Sequence, residues 1–368
     1  MGNNLKTDVL IVGGGPAGAS TALGLLAYSR LRVLIIEGSD LNTIRVGEQV
    51  DPSLFDLLAY LGIGKETFGE DSFIRGYNTL SAWGSSQLMA RSSLFDSREE
   101  CYQLDRGKFD LHLLGKAHEK GAAILPRAKC VGLQQTPDTG WTVQVKHQVR
   151  GALSVEARFL VDATGRNSSV ARQLGIQTVI NDQLVAVGAF FQAGNANGLR
   201  HELLLETVEE GWWYSATLPN GQLVTTLFTD ADIVKEKQLH KVENWKGLLV
   251  KTVHAKRRMA NSVTSESLWV RSAHSKRVES TERPNFIAVG DAAASFDPVS
   301  SMGIGFAVSS GCNAARAIIQ AQEGRDSSME AYQRAIDLIF TNYLHTKATY
   351  YAQEKRWPNA PFWKRRLN

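Results

Sequence analysis

Short, uninterrupted apolar runs stand near both ends of the chain, and its middle alternates between apolar and polar positions. Asp8-Val-Leu-Ile-Val12 has the character of a parallel strand buried on both faces. A stretch rich in alanine and leucine, about residues 17–27, reads as a helix, and Leu31-Arg-Val-Leu-Ile-Ile36 reads as a second strand. Two further runs of the first kind lie far downstream. One is Phe159-Leu-Val-Asp162; the other is Pro284-Asn-Phe-Ile-Ala-Val-Gly-Asp291, which opens into a helical stretch toward Ile319. Between them, Leu184 to Gln192, Glu202 to Thr207, Trp212 to Leu218 and Gln222 to Thr229 read as antiparallel strands. Leu218-Pro-Asn220-Gly221-Gln222 carries the Asn-Gly signal of a hairpin turn.

Elements in this order predict an α/β protein, with a Rossmann-like three-layer fold interrupted by an inserted antiparallel sheet. The 368 residues are enough for one large domain or two closely joined ones. An apolar fraction of 43%, a charged fraction of 21% and a net charge of +4 describe an ordinary globular protein and give no reason to expect nucleic acid. The three cysteines lack CxxC pairing and read as reduced thiols. The eight histidines show no metal-ligand spacing. The first strand begins too early to leave room for a signal or transit peptide, and no apolar stretch reaches the length of a membrane span. The expected location is therefore cytoplasmic, without membrane contact.

Gly13-Gly-Gly15-Pro16-Ala17-Gly18 joins the first strand to the first helix. Gly13 allows a tight turn, Gly15 lets the backbone approach a pyrophosphate, and Gly18 lets the helix pack on the strand. Glu37 ends the second strand nineteen residues past Gly18, where a carboxylate accepts the ribose hydroxyls of an adenosine. Strand, glycines, helix, strand and acid in this order mark a dinucleotide site. They do not by themselves separate FAD from NAD.

The downstream segments make that choice by resemblance. Gly290-Asp291, followed by Asp297-Pro298 and Ser300-Ser301-Met302-Gly303-Ile304-Gly305, resembles the GD motif of the para-hydroxybenzoate hydroxylase superfamily. The resemblance implies FAD in a GR2-type fold. It places Asp291 on the ribityl chain and points the helix that opens near Met302, Gly303 and Ile304 at the pyrimidine end of the ring. A helix N-terminus there stabilises negative charge on reduced flavin. Asp162-Ala-Thr-Gly165 resembles the superfamily's DG motif, with Ala163 at the usual glycine. Arg106-Gly-Lys-Phe109-Asp110 resembles its R-x-x-F-D segment, which implies an arginine near the pyrophosphate; a solvated helix start is the rival reading of Arg106. The same resemblance puts Val131 among the cofactor-binding residues. It implies FAD-binding parts at 1–80, 101–178 and 283–330, substrate-domain parts at 81–100 and 179–282, and a C-terminal helix and aromatic–basic tail at 331–368.

Gly47-Glu48-Gln-Val-Asp-Pro52 resembles the G-E-x-x-x-P segment of flavin-dependent halogenases and geranylgeranyl reductases. The chain nevertheless has no lysine between residues 66 and 107, where tryptophan halogenases carry theirs. The G-W-W-Y-S-x-x-L-P segment at 211–219 and the tail Trp357-Pro-x-x-Pro-Phe-Trp363-x-Arg-Arg366 are similar to the flavoproteins that accompany bacterial lysine and glycine oxidases. Those oxidases carry a cysteine tryptophylquinone built from their own side chains. The resemblance implies an FAD-dependent monooxygenase that hydroxylates a precursor tryptophan of the partner oxidase through a flavin C4a-hydroperoxide, using O₂ and an electron donor the sequence does not identify. Glu48 is the candidate acid–base residue, with an ion-pair role as its rival. Alternatives are a hydroxylase or reductase of a free small molecule or isoprenoid, and a flavin-bearing maturation chaperone. One of Trp212 and Trp213 is expected in the core. Trp357, Phe362 and Trp363 either anchor the C-terminus onto the FAD-binding part or form a docking patch.

Overall fold

The computed structural model of the protein describes residues 4–41, 45–76, 78–91, 101–136, 140–193, 202–259, 262–264, 267–279, 283–325 and 327–367. Residues 92–100 of the expected substrate-domain segment 81–100 lie outside them. The first apolar run is strand Asn4–Val12, paired in parallel with Val33–Glu37 on one side and Gly151–Asp162 on the other. Ala123–Pro126 extends the sheet beyond Val33–Glu37, and Phe286–Ala288 pairs in parallel with the end of Gly151–Asp162. Val9, Leu10, Ile11, Ile35 and Val161 are wholly buried, which is why these strands are written as continuous apolar runs. The helix Pro16–Tyr28 packs against Arg106–Glu119 and Gly303–Gln322. An antiparallel pair, Ala128–Thr136 and Gly140–His147, continues the sheet from the first half of Gly151–Asp162. The expected Rossmann-like α/β architecture is thus present.

The alternating segments are the strands Leu184–Ala193, Glu202–Val208, Gly211–Thr217 and Gln222–Asp230 of an eight-stranded sheet. At the hairpin, Gly221 takes a φ of 76°, and the Asn220 side chain accepts the Gln222 N–H. Asn78–Ala82 joins this sheet in parallel beside Glu202–Val208. Trp212 and Trp213 are both fully buried, although only one was expected in the core. The alternation still holds, but both faces of the sheet are covered. Helix Val242–Leu249 brings Trp245 against Trp213, while Trp83 and the hydroxyl of Tyr351 meet Trp212 from the other side.

The C-terminal tail explains the second cover. Helix Ser328–Tyr351 leads to the short helix Pro361–Leu367, whose Phe362 and Trp363 are fully buried. Trp363 Nε1 donates to the Val208 carbonyl at 2.8 Å, and Arg366 pairs with the buried Asp230 at 2.6 Å. Glu354 binds Thr207, Arg356 and the Gly84 N–H. The tail is therefore anchored, and it is anchored onto the antiparallel sheet, not onto the parallel strands. Its aromatics fill the core that the sheet cannot close alone.

Candidate active site

A cavity of about 320 Å³ opens where the glycine turn, the start of helix Gly303–Gln322 and the antiparallel sheet meet. Gly15, Pro16 and Ala17 form one wall; Gly47, Glu48 and Arg106 form a second. Asp291, Pro298, Gly303 and Ile304 line the floor, with Asp297 and Ser301 beside them. Ala186, Tyr214, Thr226, Phe228 and Trp269 close the cavity from the sheet. Ten of the seventeen residues given a cofactor-binding or catalytic role in the sequence thus converge on one space.

The other seven have different surroundings. Gly13 and Gly18 are consumed by packing: Gly13 takes a φ of 117°, and a Cβ on Gly18 would stand 2.0 Å from the Gly13 carbonyl oxygen. Gly290, at a φ of 56°, leaves room for Ala17, whose Cβ would lie 2.7 Å from a side chain there. Met302 is the half-buried residue just before the floor helix. Glu37 accepts the N–H of Gly14 at 2.7 Å and that of Ser39 at 2.8 Å, so its carboxylate is fixed beside the glycine turn. Val131 is the extra residue of a β-bulge opposite Gln144 and Val145 and is exposed; a bulge leaves backbone groups free of the ladder. Asp162 has no face on the cavity. Its buried carboxylate accepts the N–H and hydroxyl of Thr164 and the N–H of Ala171, which shapes the Ala163–Arg166 turn that does line the cavity.

Arg106 lines the cavity that the glycine turn also borders. It starts helix Arg106–Glu119 but is half-buried, not fully solvated, and it forms a bidentate pair with Asp110 at 3.1 and 3.0 Å. Its other arm donates to the carbonyls of Val46 at 2.7 Å and Gly47 at 2.9 Å. Four of its five N–H groups are thus occupied, two on Asp110 and two clamping the loop that presents Glu48. Glu48 is 4% exposed, and its Oε1 has no hydrogen-bond partner among the described residues. Burial pushes its carboxyl up to about 7, against the pull of the Arg106 guanidinium and the nearby N–H groups of Gly47 and Glu48. The half-buried Tyr214 phenol, pushed well up by desolvation and by Glu48, donates to Gln103 Oε1 at 3.3 Å.

Several lining residues were not selected from the sequence. Arg166 pairs with Asp291 at 3.3 Å and donates to the carbonyls of His274 and Phe296, tying the DG-like turn to the GD-like turn. Its position in Asp-Ala-Thr-Gly-Arg was the available signal. Tyr214, Phe228 and Trp269 reach the cavity only through strand register, and an aromatic in an alternating strand reads equally well as core. Asp297 was legible as part of a motif but not as a cavity wall. No described lysine lines the cavity. A Cβ on Gly15 or Gly303 would meet nothing within 4 Å, so both glycines border space that a ligand can fill.

Comparison with known proteins agrees with this geometry. The sequence profile of the FAD binding domain family matches residues 6–342. The putative FAD-dependent oxidoreductase LodB of Marinomonas mediterranea is 43% identical over 98% of this chain and 96% of its own. A tryptophan 2-halogenase of Chondromyces crocatus is 25% identical over 95% of this chain and 69% of its own. Among solved structures, the myxobacterial chondrochloren halogenase CndH has a TM-score of 0.88 at 21% identity, covering 98% of this chain and 86% of that one. The peptidyl tryptophan dihydroxylase QhpG has a TM-score of 0.78 at 21% identity, covering 99% and 79%. Glycine turn, strand-end Glu37 and floor helix thus come with a profile spanning most of the chain: the protein belongs to the FAD-binding domain family and is an FAD-dependent oxidoreductase.

Proposed function

We propose that the protein is a monooxygenase that hydroxylates a tryptophan side chain of a partner protein, an amino-acid oxidase precursor that matures a tryptophylquinone. When bound, FAD supplies the activation of O₂ once it has been reduced. Gly15, Pro16 and Ala17 would take its pyrophosphate at the N-terminus of helix Pro16–Tyr28, and Glu37 its adenosine ribose. Asp291 would hold the ribityl chain, and the first N–H groups of helix Gly303–Gln322 would face the ring. The open space at Gly15 and Gly303 fits such a ligand.

The observation that carries the proposal is the wall opposite that helix. Tyr214, Phe228 and Trp269 offer a flat aromatic substrate apolar contact, beside one buried carboxyl, Glu48. The net change puts one atom of O₂ into a ring C–H bond and releases the other as water, with two electrons from a donor and two protons. In this reading Glu48 accepts the ring proton as the product regains aromaticity; its position near 7 suits both taking up and giving back a proton. The lack of a described lysine in the lining favours oxygen over halide transfer. The likeness to a peptidyl tryptophan dihydroxylase essential for tryptophylquinone biogenesis supports a protein-borne substrate.

The test is mass spectrometry of the precursor oxidase after incubation with the reduced holoprotein and ¹⁸O₂. Labelled oxygen on one tryptophan is expected. A precursor that matures with an FAD-free variant, or that gains no labelled oxygen, overturns the proposal; the first outcome favours a chaperone role.

A further inference from the structure

Asp297 is 1% exposed, yet it lines the cavity. Its Oδ1 accepts the Val299 N–H at 3.0 Å, and its Oδ2 accepts from the Tyr351 hydroxyl at 2.7 Å. Its own N–H donates to the Tyr343 hydroxyl at 2.7 Å. Both tyrosines lie on the C-terminal helix Ser328–Tyr351, more than forty positions away in sequence. The direction of the Tyr351 bond is fixed by its neighbour. Trp212 Nε1 lies 3.0 Å from the same hydroxyl, and an indole nitrogen can only donate. Tyr351 therefore accepts from Trp212 and must spend its single proton on Asp297. Burial and the Asp297 charge keep its phenol well above neutral, so that proton is always present.

The charge on Asp297 is consequently a balance. Burial, the largest influence, holds its pKa above the ordinary carboxylate value, as does the nearby Asp182; Lys347, the Val299 N–H and the Tyr351 hydroxyl work against that rise and favour the charged form. Lys347 is itself held by Asp182 at 2.6 Å and Ser275 at 3.0 Å, and Ser275 bonds Tyr343 at 2.6 Å. Lys347, Tyr343 and Tyr351 thus all act from the C-terminal helix, and Asp182 is tied to it through Lys347. A carboxylate held ionised in a low-dielectric wall opposes the negative charge that a flavin gains on reduction.

We propose that Tyr351 is a positioning residue through which the C-terminal helix keeps Asp297 as a charged wall of the cavity, and so lowers the reduction potential of the bound flavin. This rests on FAD occupying the cavity. The experiment is a spectroelectrochemical titration of the purified holoprotein and of Tyr351→Phe, Asp297→Asn and the double variant. Flavin content is measured first from the visible spectrum. Asn at 297 still offers an oxygen to the Val299 N–H, so the turn is kept while the charge is removed. Both single variants should shift the midpoint potential upward, and the double variant should match Asp297→Asn alone, because Tyr351 acts only through that carboxylate. Tyr332→Phe, which removes another buried hydroxyl of the same helix, bonded to the Ala288 carbonyl, should leave the potential in place. A Tyr351→Phe holoprotein with the wild-type potential overturns the proposal, as do shifts that add in the double variant. Should Tyr351→Phe lose its flavin, an unchanged potential in Asp297→Asn overturns it equally. A wild-type protein without flavin would instead remove the assignment of the cavity.

Discussion

At the scale of single residues, the site is governed by one carboxyl that the fold keeps out of water. Glu48 has an ordinary pKa of 4.5 and is raised to about 7, because burial penalises its charged form more than Arg106 favours it. The native state therefore holds this proton more tightly than the unfolded chain does. Its contribution to stability is complete below about 4.5 and is lost as pH rises through about 7. Glu48→Gln, which cannot ionise, should remove that slope. Relative to the variant, wild-type apoprotein should lose up to about 3 kcal/mol between those limits in denaturant titrations at fixed pH. The same substitution should flatten the limb near pH 7 in the kcat profile while flavin stays bound. An unchanged limb would assign the titration to another group. Arg106 acts on the same carboxyl by holding its loop, so Arg106→Lys should displace Glu48 without removing it: a lysine cannot form the bidentate pair with Asp110.

At the scale of elements, the glycines divide by what surrounds them. Gly18 is occupied by packing, and an added Cβ would meet a backbone oxygen that cannot move aside. Gly15 has an unstrained φ of −71° and open space. Gly18→Ala should therefore cost about 3 kcal/mol or more in thermal or chemical unfolding. Gly15→Ala should fold as the wild type does but weaken FAD binding at least tenfold, read by flavin fluorescence on titrating apoprotein. If Gly15→Ala binds FAD normally, the cofactor does not approach that turn. The strands and helices around these glycines were legible in the sequence, because buried parallel strands and glycine turns follow from local rules. Asp162 was not legible in the same way. A DG-like aspartate reads as a ligand-facing group, and only the fold shows its carboxylate committed to the turn from Thr164 to Ala171. Arg106 was legible as a residue of the site, but its hold on the Glu48 loop was not. Its partners Val46 and Gly47 lie some sixty positions upstream, and no spacing rule anticipates them.

At the scale of the whole molecule, two apolar cores meet at the cavity, and the C-terminal tail completes the second of them. The sequence left the tail open between anchor and docking patch, because aromatic and basic residues serve both ends equally well. What decides it is the surface left bare by the antiparallel sheet: Trp83, Trp212 and the Val208 carbonyl need cover on the face that Trp245 does not reach. Trp363 supplies that cover with its ring against Trp83 and Tyr351 and its N–H on Val208. Trp363→Ala should then remove a fully buried ring and leave a carbonyl without its donor, costing about 3–5 kcal/mol. The loss should spread beyond the tail, because Tyr351 stacks on the same cluster and reaches Asp297. Hydrogen exchange should rise in Glu202–Val208 and Gly211–Thr217, while the parallel strand Asn4–Val12, which belongs to the other core, stays protected. Flavin release should accelerate in parallel. If exchange rises only within residues 356–367, the tail is an independent appendage, and the cavity does not depend on it.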